Sequence, residues 1–252
     1  MLRRAKQWHL TSEAVHTKRI PMTNPWLQIP ASDYEGHMNS PSVAQFSFLA
    51  ETFKASLKNY DSSTVALLGC ATGNGLESIN HETTHRVTVV DINPDYLHIL
   101  HERYADTIPG LEIVHDDLGH CHLEEGAYSL IFAGLIFEYL DPQALLQKIA
   151  RWLSNDGIFI GVLQLPNDGS RVTETPYTSL QSLSAIMNLV DPAQFKAFAH
   201  KAGLTVLDER VDTLTTGKSF YLGTYQKMNA QQDAALELRP VARPKIQQAL
   251  PL

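Results

Sequence analysis

Val65-Ala66-Leu67-Leu68-Gly69-Cys70-Ala71-Thr72-Gly73-Asn74-Gly75-Leu76 decides how this chain is read. Four apolar residues run straight into a turn with glycine at positions 69, 73 and 75. A short continuous apolar run bounded by glycine reads as a buried strand. Glycine there admits unusual backbone dihedrals and lets ligand atoms approach the main chain. In an open α/β sheet such a turn lies where ligands bind, at the carboxyl ends of the strands. A helix is expected directly after it. The stretch alone implies a nucleotide-like ligand.

Working outward, strand and helix alternate from residue 62. Thr64–Leu68 is the first strand and Arg86–Val90 the second, ending at Asp91. Glu112–His115, Tyr128–Ala133 and Ile158–Leu163 follow, the last entered through Asn155-Asp156-Gly157. Asn93-Pro94, Asp141-Pro142 and Asp191-Pro192 each pair a capping side chain with proline in the first helical turn. The helix after Asn93 carries Leu97, Leu100 and Tyr104 on one side. The next turns Leu145, Leu146, Ile149 and Leu153 inward, and the third Phe195, Phe198 and Ala202, with Gly203 as its stop. Leu204–Leu214 and Lys218–Gln226 flank Thr215-Thr216-Gly217 with no helix between them, so they form an antiparallel hairpin. The expected fold is α/β: a Rossmann-like doubly wound sheet, mostly parallel, with a C-terminal antiparallel hairpin, helices on both faces and an N-terminal helical cap.

The flanks divide the chain. Residues 1–60 read as an arm and cap, with Trp8, Leu10, Trp26 and Leu27 as scattered anchors. Ser40 or Ser42 is placed to cap a helix over about 43–60, with Phe46, Leu49, Phe53 and Leu57 at helical spacing. Residues 61–227 form the main domain, with 164–190 as a long insertion after the fifth strand. Residues 228–252 read as a loosely held tail.

Composition narrows the function. Neither a 20-residue apolar span nor an apolar signal core after Met1-Leu2-Arg3-Arg4 is present, so neither membrane nor export is expected. Cys70 and Cys121 are the only cysteines, which suits a reducing cytoplasm. A net charge of −7 disfavours a nucleic-acid partner. His115, His120, His122 and Cys121 lie close together, but nothing supplies a convincing fourth ligand, so no metal is expected. No Gly-x-Ser-x-Gly elbow or phosphate-loop lysine appears; Gly217-Lys218-Ser219 lacks the upstream glycine loop.

The candidate site follows from strand ends. Asp91, 16 positions after Gly75, is placed to accept both hydroxyl protons of a ribose. Asp116-Asp117-Leu118 offers an acceptor for an adenine amino group, Asp117 ahead of Asp116, and the Leu118 amide for a ring nitrogen. Together with the glycine turn, this set resembles the class I S-adenosylmethionine-dependent methyltransferases over about residues 62–227. Their first motif is hydrophobic–acid–hydrophobic–Gly–x–Gly–x–Gly–x–Gly, matched by Gly69-Cys70-Ala71-Thr72-Gly73-Asn74-Gly75 with one substitution. Ala71 replaces a glycine, and Leu67 replaces the acid that helps hold the methionine ammonium.

The resemblance implies S-adenosyl-L-methionine as cofactor, with Gly69, Cys70, Ala71, Gly73, Gly75, Asp91, Ile92, Asp117, Leu118, Ala133 and Gly134 around it. Asp33-Tyr34-Glu35-Gly36-His37-Met38 resembles a helical segment that closes over the cofactor in related bacterial enzymes. Tyr34 would cover the sulfonium, and His37 and Met38 would line the same pocket; the plain alternative is a surface loop. Glu138 or Tyr139, after the fourth strand, would position or deprotonate the acceptor. The Asn-Pro-Pro-Tyr motif of amino-methylating DNA and protein enzymes is absent; Ala133-Gly134-Leu135-Ile136 stands there. The expected activity is methyl transfer to an O, N or C atom of a small molecule, by a monomer or homodimer. Two other readings stay open. Gly73-Asn74-Gly75-Leu76-Glu77-Ser78 can be aligned with the glycine motif of an NAD(P)-dependent oxidoreductase. A non-catalytic protein could also keep this fold for cofactor binding.

Overall fold

The computed structural model describes residues 24–167 and 169–228. Trp8, Leu10 and the tail from residue 229 onward lie outside the described residues.

Five apolar-rich strands pair in parallel. They are β1 (Thr64–Leu68), β2 (Arg86–Asp91), β3 (Leu111–His115), β4 (Tyr128–Gly134) and β5 (Leu153–Gln164). β6 (Leu204–Thr213) and β7 (Ser219–Lys227) form the antiparallel hairpin. The sheet order is β3-β2-β1-β4-β5-β7-β6. β1 lies between β2 and β4, with Leu67 opposite both Val89 and Phe132. The chain steps outward through β2 and β3 and then returns to β4. The switch between β1 and β4 opens the crevice where this class of sheet binds ligands.

Strand alternation divides the core into two layers. Val65, Leu67, Val89 and Phe132 pack with Phe53 of α2 (Gln45–Asn59) and Leu97 and Leu100 of α3 (Pro94–Tyr104). Ala66, Leu68, Ala133 and Phe159 face Leu146 and Ile149 of α4 (Pro142–Trp152) and Phe195 of α5 (Pro192–Lys201). Side chains of this size contribute about 1.5–3 kcal/mol each when fully buried. The three Asn/Asp-Pro starts behave as their chemistry requires. Asn93 accepts from the amides of Asp95 and Tyr96, Asp141 from those of Gln143 and Ala144, and Asp191 from that of Gln194.

Three local expectations are corrected. Neither Ser40 nor Ser42 caps α2: their hydroxyls bond each other at 3.0 Å, and Ala44, at φ +52°, precedes the helix without a side-chain cap. The glycine turn runs into a three-residue 3-10 turn, Leu76–Ser78, rather than a longer helix. Asn80 closes that segment, its side chain accepting from Glu82 N and its carbonyl from Thr83 N and Thr84 N. α2 helps cover this face instead, with Phe53 at 5.2 Å from Phe132 between ring centroids and pressed against Gly75. Finally, β5 begins at Leu153, not Ile158. Asn155-Asp156-Gly157 interrupts its pairing with β4 as an irregularity inside the strand. A Cβ on Gly157 would meet two carbonyl oxygens at 2.9 Å, so the site tolerates only glycine.

Candidate active site

The glycine turn and the end of β2 form one hydrogen-bonded unit. Gly69, Ala71, Gly73 and Gly75 all have positive φ, at +68°, +45°, +92° and +90°. Gly69 N and Cys70 N donate to Val90 O, bringing the turn beside Asp91. Ala71 N then donates to Asp91 Oδ2 at 2.8 Å, and Asn93 N to Oδ1 at 2.9 Å. Burial pushes the Asp91 carboxyl above its ordinary range, and the amides of Asn93, Ala71 and Ile92 oppose that rise. A carboxylate offers about four lone-pair sites, so capacity remains for further donors. Asp116 and Asp117 are braced likewise: Asp116 Oδ1 accepts from Asp117 N, and Asp117 Oδ1 from Gly119 N, both at 2.8 Å.

A cavity of about 230 Å³ opens at the carboxyl ends of β1 to β4. Gly69, Ala71, Asp91, Ile92, Asp117, Leu118 and Gly134 line it, as do Tyr34, His37 and Met38 from the cap and Tyr139 after β4. Cys70, Gly73, Gly75, Ala133 and Glu138 are not among its lining. Gly73 and Gly75 shape the turn from behind. Tyr104 and Phe53 occupy the space where their side chains would project. Cys70 is buried, its thiol pushed well up by burial and then by the Asp91 charge. Ala133 packs in the layer of α4 and α5.

Glu138, expected beside the acceptor, is fully buried. Its Oε1 accepts from Gln164 N at 2.7 Å, and among the described residues Oε2 has no partner. Burial raises its carboxyl to about 7, against the hydrogen bond from Gln164 N. Its direct neighbour in the chain, Tyr139, does reach the cavity. Burial, then the Glu138 charge, raises the Tyr139 phenol far above its ordinary value and keeps it protonated.

The roof is built by two segments distant in sequence. α1 (Ala31–Asn39) brings Tyr34, His37 and Met38 over the crevice. Its Glu35 carboxylate accepts from Thr72 Oγ1 of the glycine turn and from Arg103 of α3, both at 2.5 Å. Tyr34 lies 5.4 Å from Tyr96 and 6.3 Å from Trp26, and Trp26 lies 5.1 Å from Tyr139, between ring centroids. Trp26 is fixed by Asn93 Nδ2, which donates to its carbonyl at 2.8 Å.

The segment after β5 supplies the other half. Its Leu180, Leu183 and Met187 form a small core with Val172 and Ile29. Ser179 Oγ donates to Asp33 Oδ2 at 2.6 Å, and Thr175 Oγ1 lies 3.0 Å from His37 Nδ1. Tyr177 fills the space above Gly36. Thr175, Tyr177 and Ser179 thus join this segment to the cap, whereas Val172, Leu180, Leu183 and Met187 face the cavity.

Seven polar or aromatic lining residues escaped the sequence reading of the site: Asn24, Trp26, Gln45, Tyr96, Gln164, Arg171 and Lys218. Lys218 is the most consequential. β7 runs antiparallel to β5, so the turn before β7 returns to the carboxyl end of β5. Lys218 sits there, 5% exposed. Burial lowers its ammonium to about 8. Burial, followed by the Lys218 charge, lowers the His37 imidazole to about 4. The strand topology was the signal that could have placed Lys218 here; its local sequence carries none.

Residues 65–157 match a sequence family described as a methyltransferase domain. No functionally curated protein matched the sequence. Among solved structures, an S-adenosylmethionine-dependent methyltransferase from Mesorhizobium loti superposes with a TM-score of 0.56 at 14% identity, over 72% of this chain and 100% of that one. Geranyl diphosphate C-methyltransferase from Streptomyces coelicolor, solved with Mg2+, geranyl diphosphate and S-adenosyl-L-homocysteine, gives 0.57 at 12% identity, over 74% and 82%. A possible exported protein from Bordetella parapertussis gives 0.57 at 18%, over 75% and 70%. Over residues 65–157 the chain is similar to a methyltransferase domain, and the fold is that shared by the class I S-adenosylmethionine-dependent methyltransferases. Among the described residues, no helix is long and apolar enough to cross a membrane.

Proposed function

We propose that this protein transfers a methyl group from S-adenosyl-L-methionine to an O, N or C atom of a small molecule, in the cytoplasm. The observation that carries this reading is the convergence of Gly69, Ala71, Asp91, Asp117 and Gly134 on one cavity beneath α1. The donor set fits the cofactor. Asp91 offers a braced carboxylate for the ribose hydroxyls, and Asp117 with the Leu118 amide offers adenine contacts. Tyr34 presents an aromatic ring to the same cavity, suited to a sulfonium. Leu67 leaves the methionine ammonium without an acid on β1, so carbonyl oxygens of the glycine turn would hold it.

The cofactor supplies a methyl carbon already activated by its sulfonium, so the chain's main task is alignment and exclusion of water. α1 and the 165–190 segment cover the crevice, and their apolar contacts keep solvent out. Tyr139 touches the acceptor as a hydrogen-bond donor, since its phenol stays protonated. Glu138 acts as a positioning residue through Gln164, whose amide it accepts.

Calorimetry with S-adenosyl-L-methionine, S-adenosyl-L-homocysteine and NAD tests the proposal. Binding of the two methionine compounds without NAD is expected. NAD binding alone, or no binding at all, overturns it. Asp91→Asn keeps an acceptor for only one of the two amides of Ala71 and Asn93 and loses the charge. Hydrogen bonds to a charged group contribute about 1.5–3 kcal/mol, so affinity should fall roughly ten- to hundredfold. An unchanged affinity removes Asp91 from the ribose site.

A further inference from the structure

Lys218 is 95% buried, as its 5% exposure states, and it lines the cavity. Among the described residues its ammonium has neither a hydrogen-bond acceptor nor a carboxylate in reach. Buried charges are normally paired; Lys218 buries its stem while Nζ keeps contact with the cavity, where an anionic ligand would meet it. Its surroundings do not supply that pairing. His37, whose ring senses the Lys218 charge, is held neutral and engaged by Thr175. Gln45 and Gln164 are neutral, and Gln164 spends its amide on the Arg171 carbonyl.

Arg171 also lines the cavity at this end, but its guanidinium donates to the Met187 carbonyl at 2.7 Å; the remaining surface here is mainly apolar. Leu180, Leu183 and Met187 come from the segment after β5. The cavity acids Asp91, Asp116 and Asp117 lie at the ends of β2 and β3, whereas Lys218 lies at the other side, beside β5 and past β4 in the sheet order. A fixed cation in an apolar pocket, away from the cofactor's acids, is a counter-charge waiting for a ligand anion.

We propose that the methyl acceptor is a carboxylic acid with an apolar body, its carboxylate seated on Lys218 Nζ and its body on Leu180, Leu183 and Met187. The Lys218 ammonium can pair with one carboxylate, and the neutral Gln45 amide can supply a further donor. This rests on the methyltransferase reading, and it assigns Lys218 as the residue that selects the acceptor by charge.

The test uses the full chain saturated with S-adenosyl-L-homocysteine. Benzoate and phenylacetate are titrated by calorimetry, with benzamide as the neutral twin. Both acids should bind and benzamide should not. Lys218→Met should lose acid binding at least tenfold, keep its affinity for S-adenosyl-L-homocysteine and keep its near-UV circular dichroism. Lys218→Arg, which retains the charge, should recover acid binding. Failure of both acids to bind the S-adenosyl-L-homocysteine complex overturns the proposal while leaving the methyltransferase reading intact. So does benzamide binding as well as benzoate, or undiminished acid binding by Lys218→Met. Loss of S-adenosyl-L-homocysteine affinity in Lys218→Met would overturn it too, by assigning the ammonium to the cofactor's own carboxylate.

Discussion

Thr72 donates its hydroxyl to the Glu35 carboxylate at 2.5 Å, tying the cap helix α1 to the glycine turn at the floor of the cavity. Arg103 of α3 grips the same carboxylate and holds its pKa below the ordinary range, ahead of the smaller effect of Thr72. Cap, turn and sheet layer therefore share one hydrogen-bonded junction. It keeps Tyr34, His37 and Met38 over the crevice.

Weakening that junction should loosen the cap. Glu35→Gln keeps the shape but removes the charge. Part of the carboxylate is solvent-screened, so a loss of about 1 kcal/mol is expected rather than the full worth of a buried ion pair. Affinity for S-adenosyl-L-homocysteine should fall roughly fivefold, and amide exchange over residues 31–39 should accelerate. Unchanged exchange in that helix would show that the aromatic contacts of Tyr34 alone hold it.

Ala71 stands where the resembled motif has glycine, yet its φ is +45°. A residue with a Cβ in the left-handed region costs roughly 1–2 kcal/mol. The backbone of the motif is thus retained at the expense of local strain. Ala71→Gly should raise the melting temperature by about 2 °C, since the entropy of glycine offsets part of the relief. Differential scanning calorimetry decides it. A lower melting temperature would mean that the buried Ala71 methyl contributes more by packing than it costs in strain.

Much of this architecture is legible because short-range chemistry decides it. The three Asn/Asp-Pro pairs cap helices by hydrogen bonds to amides two or three residues away. The apolar run before Gly69 makes a buried strand in any open α/β sheet. Ser40 and Ser42 misled because a side chain near a helix start has competing partners, and here the two hydroxyls chose each other. The segment after Gly75 misled because Asn80, four residues past Leu76, offers a side-chain turn that ends helical winding early.

The site's far side was hidden for a different reason. Lys218 and Gln164 meet the cavity only because β7 folds back beside β5, a pairing between residues more than 50 positions apart. In the segment after β5, Thr175 and Ser179 spend their hydroxyls on joining the cap. The acceptor-facing work falls to unremarkable leucines nearby.

Leu67 occupies the place of an acid in the resembled motif, and its surroundings explain why the acid cannot simply be restored. It is 5% exposed and packs in the apolar layer with Val89, Phe132 and Phe53. An unpaired carboxylate in such a layer costs at least several kcal/mol unless it takes up a proton. Leu67→Asp should lower the midpoint of urea unfolding sharply without improving S-adenosyl-L-homocysteine binding. A variant of native stability with tighter binding would instead show that position 67 can turn toward the methionine end of the cavity.

Glu138 gives the molecule a stability that depends on pH. Its carboxyl is raised from 4.5 to about 7 by burial, and among the described residues no ion pair compensates it. The sign follows from linkage. Between those two values the folded state holds a proton that the unfolded state has released, so stability falls as pH rises through this window. The contribution is complete below about 4.5, is lost by somewhat above 7, and is on the order of 3 kcal/mol. Glu138→Gln retains the acceptor for Gln164 N but cannot ionise. Urea unfolding at pH 5.5 and pH 8 should therefore show a steeper decline for the native chain than for the variant. Parallel pH profiles would mean that Glu138 ionises in the fold as it does in the unfolded chain, with solvent reaching its unpartnered Oε2.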